Sequence, residues 1–231
     1  AMVNVTHVDA DLIEDAARAL DGVVAQTPLQ RSHRLSELFD AEVYLKREDL
    51  QPVRSYKVRG AFNMMSTLSL LNRKQGVVCA SSGNHAQAVA YSCARMGVSG
   101  RVYLPRNTPR QKRERIAVLG GDMVEIVVFG DSYDEAAEMA RQDADHTGAC
   151  MVPPFDHPAT IAGQGTAAVE IVDQLLERTG YEPDVLVVPV GGGGLLAGCA
   201  TWLAARYPDV RVVGVESVGA AALAEAFRVG H

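Results

Sequence analysis

The sequence predicts an α/β protein of two lobes, built on parallel twisted sheets with helices on both faces. Three observations carry this. Strand-like and helix-like segments alternate along nearly the whole chain. The strands are continuous apolar runs, such as "GVVCA" at 76–80 and "DVLVVPV" at 184–190, so apolar neighbours are expected on both of their faces. A compact strand–helix series ends at Pro153 and Pro154. It marks off a small mobile lobe, residues 75–153, from a large lobe made of residues 1–74 and 154–231.

The elements follow in order. Residues 9–20 carry apolar side chains at 12, 13, 16, 17 and 20, one face of a helix. "AEVYL" (41–45) reads as a strand and 55–71 as one helix. A strand at 76–80 leads through "SSGN" into a helix over 85–96. Strand "RVYLP" precedes a helix at 109–119, and strand "DMVEIVV" a helix at 132–146 with Asp and Glu in its first turn. "CMVPPF" reads as a strand ending in prolines. A long helix over 160–178, the strand at 184–190, a "GGGG" loop, a helix over 195–206, the strand "VRVVGVE" and a helix over 219–228 complete the series.

Composition narrows the function. The 231 residues are 48% apolar and 22% charged, enough for a real core. A net charge of −6 with mixed signs leaves no basic face, which argues against nucleic acid or an anionic membrane as partner. Arg110, Lys112, Arg113 and Arg115 cluster, but Glu114 interrupts them, and a solvated helix face accounts for them. No apolar run exceeds strand length, so no membrane span is expected. The N-terminus shows neither a basic region nor an apolar signal core. Cys79, Cys93, Cys150 and Cys199 lie apart and read as free buried thiols of a reducing, cytoplasmic compartment. His7, His33, His85, His146, His157 and His231 show no ligand spacing, so no structural metal is expected.

Ligands of open parallel sheets bind at the carboxyl ends of strands. The loops to weigh are therefore 46–56, 81–84, 153–165, 191–194 and 216–219. In "VLVVPVGGGGLLAG" four glycines link a strand to a helix. Without Cβ atoms such a loop turns sharply and aims several N–H groups, plus a helix dipole, at one anion. No Gly-Lys-Ser/Thr follows, so it is not a Walker loop. A rival reading takes Gly192, Gly194 and Ala197 as a relaxed dinucleotide pattern, with Glu216 as the ribose-binding acid. In "CASSGNHAQAVA", Ser81, Ser82, Gly83 and Asn84 form a turn that could simply cap a helix, or could present N–H groups, hydroxyls and an amide to a carboxylate. Lys57 sits among Tyr56, Val58 and Ala61. A partly buried lysine loses charge stabilisation and becomes a usable amine nucleophile; the plainer reading is a lysine reaching to solvent. Gly163, Gln164, Gly165 and Thr166 are placed in the first turn of a long helix, where glycine costs about 1 kcal/mol relative to alanine. That points to close approach by a ligand or by another segment. Glu48 with Asp49, and Asp156 with His157, read as ordinary loop polarity.

Taken together and in this order, "KREDLQPVRSYKVRGA", "SSGNHAQAVA", "GQGTAAVEI", "VPVGGGGLLAG" and "GVES" resemble the fold type II pyridoxal-phosphate enzymes, nearest the threonine dehydratase and serine racemase-like branch. The resemblance runs from about residue 22 onward. It implies pyridoxal 5'-phosphate as cofactor, held covalently by Lys57, which then acts as general base. It implies Tyr56 beside the cofactor ring, Asn84 on the ring hydroxyl, and Gly191, Gly192, Gly193, Gly194 and Leu195 around the phosphate. Ser81, Ser82, Gly83, Asn84 and His85 would bind the substrate carboxylate. Ser82 matches a second acid–base of the racemase branch, which by its presence alone does not make a racemase.

The implied reaction is dehydration and deamination of L-threonine, and of L-serine too, to 2-oxobutanoate or pyruvate and ammonia, a step of isoleucine biosynthesis, by a homo-oligomer (dimer or tetramer). The family's ring-nitrogen partner, Ser or Cys, is expected beyond residue 231, with the rest of the large lobe and any regulatory domain. The racemase-like branch binds a divalent ion through an acid at the position of Glu216 and a second six residues on, where this chain has Ala222. So carboxylate-poor a site binds Mg²⁺ or Ca²⁺ weakly, so no metal is expected and the dehydratase branch is favoured. The alternatives are a serine racemase-like enzyme, a non-catalytic fragment, and a NAD-binding oxidoreductase.

Overall fold

The computed structural model describes residues 7–229; the first six residues, Gly230 and His231 lie outside the described residues. The described residues form three sheets. A four-stranded parallel sheet in the order β5-β4-β3-β6 uses β3 (Val77–Ala80), β4 (Gly100–Leu104), β5 (Val124–Val128) and β6 (Cys150–Met151). β7 (Val185–Pro189) and β8 (Arg211–Val215) form a parallel pair. β1 (Leu29–Arg31) and β2 (Tyr44–Lys46) form an antiparallel one.

β3 has helices on both faces, as its continuous apolar run requires, whereas β7 is covered on one face only: Val185 and Val187 are exposed and Val188 is buried. From β3, Val77 and Cys79 pack into one core with α5 (Asn84–Met96), α6 (Arg110–Gly120) and α3 (Lys57–Ser66). Val78, pointing the other way, packs on α7 (Tyr133–Thr147). A second core joins α1 (Ala10–Leu20), α8 (Pro158–Thr179) and α9 (Gly194–Arg206) around Trp202. α3 packs against both α5 and α8, and its buried apolar residues belong to the first core.

Helix ends follow local chemistry. Asp9 caps α1 by accepting from the Leu12 N–H at 2.8 Å, and Ser132 caps α7. Gly97, Gly148 and Gly180 end α5, α7 and α8 in the left-handed conformation.

Several elements differ from the sequence reading. The helix read at 55–71 is two: α3 stops at Ser66, and α4 (Leu70–Gln75) starts afresh with Ser69 as cap. The Ser66 and Thr67 hydroxyls bond back to the Asn63 and Met64 carbonyls, local bonds that compete with helix continuation. β1 and α2 (His33–Phe39), which Ser32 caps, fall where no element was read. The strand at "CMVPPF" is only Cys150–Met151, because Pro153 and Pro154 have no N–H for a ladder. The last helix, α10, runs Ala222–Val229.

Candidate active site

The strand order creates the site. From β3 the chain steps outward through β4 to β5, then β6 returns to the other side of β3. That reversal opens a crevice at the carboxyl ends of β3 and β6. The turn 81–83 leaves β3 there, and the segment 152–157 leaves β6.

Residues of that second segment take three different partners. Buried His85, in the first turn of α5, bonds the Val152 carbonyl through Nε2 at 2.8 Å. A carbonyl only accepts, so Nε2 carries the proton. Burial pulls the His85 pKa down to about 4, so the ring is neutral at pH 7. Lys57 opens α3 and donates from Nζ to the Pro154 carbonyl at 2.9 Å. It is half-buried, and burial lowers its pKa. Phe155 packs on the tetraglycine loop: a Cβ on Gly192 would collide with its ring, and one on Gly194 would come within 3.1 Å of its carbonyl oxygen.

The tetraglycine loop therefore has a packed side and an open side. A Cβ on Gly191 or Gly193 would meet nothing within 4 Å. Gly193 has φ 89°, a conformation strained for any residue with a Cβ. α9 starts at Gly194 with no side-chain cap, so the N–H groups of Gly194 and Leu195 have no side-chain acceptor. Such a loop at a helix start suits a phosphate.

Around Lys57, the Tyr56 ring lies 5.7 Å from Nζ, and burial raises its pKa. Ser55 is buried, and its Oγ has no partner among the described residues. Ser81 Oγ accepts from the Gly83 N–H at 3.1 Å, which shapes the turn. Ser82 and Gly83 are part-exposed and Asn84 is exposed at the start of α5. The His85–Val152 bond ties this turn to the segment that also holds Lys57.

Two sequence readings change. Gly163, Gln164, Gly165 and Thr166 lie beyond the first turn of α8, which starts at Pro158. The close approach is between helices: a Cβ on Gly163 would collide with the Arg59 carbonyl, and one on Gly165 would meet Gly198 of α9 at 2.9 Å. Glu216, the acid of the rival dinucleotide reading, caps the next helix. Its carboxylate accepts from the N–H groups of Leu223 and Ala224 at 2.9 and 2.8 Å, at the start of α10.

Sequence reading also missed a buried ion cluster, having taken Glu48 as loop polarity. Arg59, fully buried, donates to Glu48 at 2.9 and 2.8 Å, to Glu170 at 2.8 and 2.8 Å, and to the Thr166 hydroxyl at 3.2 Å. Lys46 pairs with Glu170 at 2.6 Å. Burial opposes the charge on Arg59, but the bonds to Glu48 and Glu170 outweigh it and raise its pKa. The one signal available was an arginine amid the apolar positions of α3.

Comparison with known proteins identifies the family. A model of the family described as pyridoxal-phosphate dependent enzyme matches residues 20–231. The chain is 54% identical over 219 residues to the L-threonine dehydratase biosynthetic IlvA of Mycobacterium tuberculosis, covering 95% of this chain and 50% of that protein. It is 43% identical to the protein of the same name in Bacillus subtilis, covering 100% of this chain and 53% of that protein. The chain thus spans about half the length of the curated relatives it matches. Among solved structures, the processed form of threonine deaminase isoform 2 from Solanum lycopersicum superposes with TM-score 0.88 at 38% identity, over 98% of this chain and 65% of that one. Maize serine racemase superposes with TM-score 0.88 at 32% identity, over 96% and 65%. The dinucleotide reading of Gly192, Gly194, Ala197 and Glu216 is therefore set aside. The chain belongs to the pyridoxal-phosphate dependent enzyme family.

Proposed function

We propose that the protein carrying this chain is an ammonia-lyase that dehydrates and deaminates L-threonine, and L-serine too, to 2-oxobutanoate or pyruvate and ammonia. The relatives at up to 54% identity are named L-threonine dehydratase, which favours this over the racemase reading. The observation that carries the site is the shared strap: the Lys57 amine bonds Pro154 while the adjacent Phe155 packs on the tetraglycine loop.

The residues present fit pyridoxal 5'-phosphate. A depressed amine, an orphaned buried hydroxyl at Ser55 two residues before it, and a glycine loop with one open side support this. When bound, the cofactor supplies an electron sink that acidifies the substrate Cα–H. Lys57 would hold its aldehyde, the N–H groups of Gly191, Gly192, Gly193, Gly194 and Leu195 would hold its phosphate, Tyr56 would lie beside its ring, and Asn84 would bond its ring hydroxyl. The turn Ser81, Ser82, Gly83, Asn84 and His85 receives the substrate carboxylate, with neutral His85 anchoring the turn to Val152 rather than supplying charge. The Lys57 amine would take the Cα proton. Burial keeps more of it unprotonated at neutral pH than an exposed lysine.

In this reading residues 75–153 form the small lobe and 1–74 with 154–231 the large one, α3 lying across the boundary, and closure excludes water. Four buried free thiols favour the cytoplasm, and no helix among the described residues is long and apolar enough to cross a membrane. A homo-oligomer is part of this reading, and light scattering of the full-length protein tests it. The activity test is incubation of the full-length enzyme with L-threonine. Equimolar 2-oxobutanoate and ammonia are expected. Inversion of L-serine to D-serine without those products would favour the racemase reading instead, and no turnover of either would sink both.

A further inference from the structure

Lys46 and Glu48 of "KRED", Arg59 of "KVRGA", and Thr166 and Glu170 of "GQGTAAVE" have no part in the chemistry above, yet all five meet in one place. Two cations and two anions lie together there, with the Arg59 guanidinium fully buried at the centre. A buried ion cluster is weak evidence of stability, because well-packed apolar residues often serve as well or better. What such a cluster does supply is fixed geometry, since the bidentate guanidinium accepts few arrangements.

The local structure shows where fixed geometry matters. Arg59 lies two residues beyond Lys57, in the first turn of α3, and no side chain caps that turn. On one side the guanidinium holds Glu48, in the short 3₁₀ turn after β2 that leads into α3; on the other it holds Glu170 of α8. α8 also leads back at its start to Pro154, the acceptor of the Lys57 amine. The α3–α8 contact beside Arg59 sets Gly60 against Gly163, with Gln164 Oε1 accepting from the Gly60 N–H at 3.1 Å and Asn63 Nδ2 donating to the Ala159 carbonyl at 2.7 Å. These neutral bonds join α3 to α8 alone. Arg59 adds the ionic link that ties the first turn of α3 both to α8 and to the 3₁₀ turn that precedes it.

We propose that Arg59 is a positioning residue: clamped between Glu48 and Glu170, it fixes the first turn of α3 on α8 and so sets where the Lys57 amine sits relative to Pro154 and the tetraglycine loop. The role of Lys57 rests on the function proposed above; the clamp itself does not.

The test uses the full-length protein as wild type, Arg59→Lys, which keeps the charge and loses the fork, and Glu170→Gln, which is nearly isosteric. Asp143→Asn is the comparison. It removes the negative charge and one of the two oxygens that accept from Arg101 and Tyr103 on the α7 side of the small-lobe sheet, away from Lys57. Without cofactor, trace acetic anhydride labels lysines, and peptide mass spectrometry gives Lys57 relative to exposed Lys112. With cofactor, kcat and KM for L-threonine are measured. The two clamp variants are expected to raise relative Lys57 labelling several-fold and to lower kcat about 100-fold, the scale of a misplacement near 1 Å, with a much smaller change in KM. Asp143→Asn should change neither at a comparable fall in Tm. Labelling and kcat that follow Tm alone across all three variants would overturn the proposal. If Arg59→Lys fails to fold, Glu170→Gln decides. If wild-type Lys57 takes up no pyridoxal phosphate, the function reading fails, while the labelling ratio still decides the clamp.

Discussion

Lys57 and His85 are both titratable, and burial pushes both toward neutrality, with different consequences. Lys57→Ala is expected to abolish covalent cofactor and to lower kcat by at least about 10²–10⁴-fold, the range lost with a positioned general base; steady-state kinetics and the cofactor absorption band check this. His85 gives a stability signature. Its unfolded form gains a proton as pH falls through 6.5, whereas the folded form gains it only near 4. The unfolded state therefore binds more protons across that window, and stability is lost as pH falls. A pKa difference of this size corresponds to roughly 3 kcal/mol between pH 6.5 and 4. Urea unfolding across that range should show the loss in wild type and a flatter profile in His85→Gln, whose amide can still donate to Val152. Lys57 stands out in the sequence because a lysine among apolar neighbours is conspicuous within one helical turn, and the structure shows it half-buried. The Arg59 clamp was not, because its partners lie 11 and 111 residues away and only the fold brings them together.

At the scale of elements, glycines decide how closely α3, α8 and α9 approach. Gly163→Ala should destabilise by about 1–3 kcal/mol through overpacking against the Arg59 carbonyl and Gly60, measured by denaturant midpoint. Gly193→Ala meets no atom but must hold φ 89°, a penalty of about 1–2 kcal/mol. Here the expected readout is weaker cofactor binding more than lower Tm. The four-glycine loop could be read from sequence because its need is local. The glycines of "GQGT" were seen as a sign of close approach, but whether ligand or helix approached depended on α3 and α9, distant in sequence. Elements without strong periodicity escaped: α2 and α4 are seven and six residues long, too short to show a repeating apolar face.

At the scale of the whole molecule, the crevice follows from the strand order β5-β4-β3-β6, whose reversal puts the 81–83 turn beside the segment 152–157. Alternation of strands and helices predicted a parallel sheet. It carried no information on which side β6 would join. The antiparallel β1–β2 pair was hidden because β1 has only three residues. The strap joins both lobes of the proposed division to the cofactor site, so ligand binding should stabilise the entire fold. Pyridoxal phosphate at 100 times its dissociation constant is expected to add about 2.7 kcal/mol to the unfolding free energy, a gain that calorimetry should find diminished in Lys57→Ala. The most direct measurement of the central claim is borohydride reduction of the cofactor-loaded full-length protein, followed by peptide mass mapping. The reading predicts one reduced pyridoxal-phosphate adduct, on Lys57. An adduct confined to another lysine, or none at all, would contradict it.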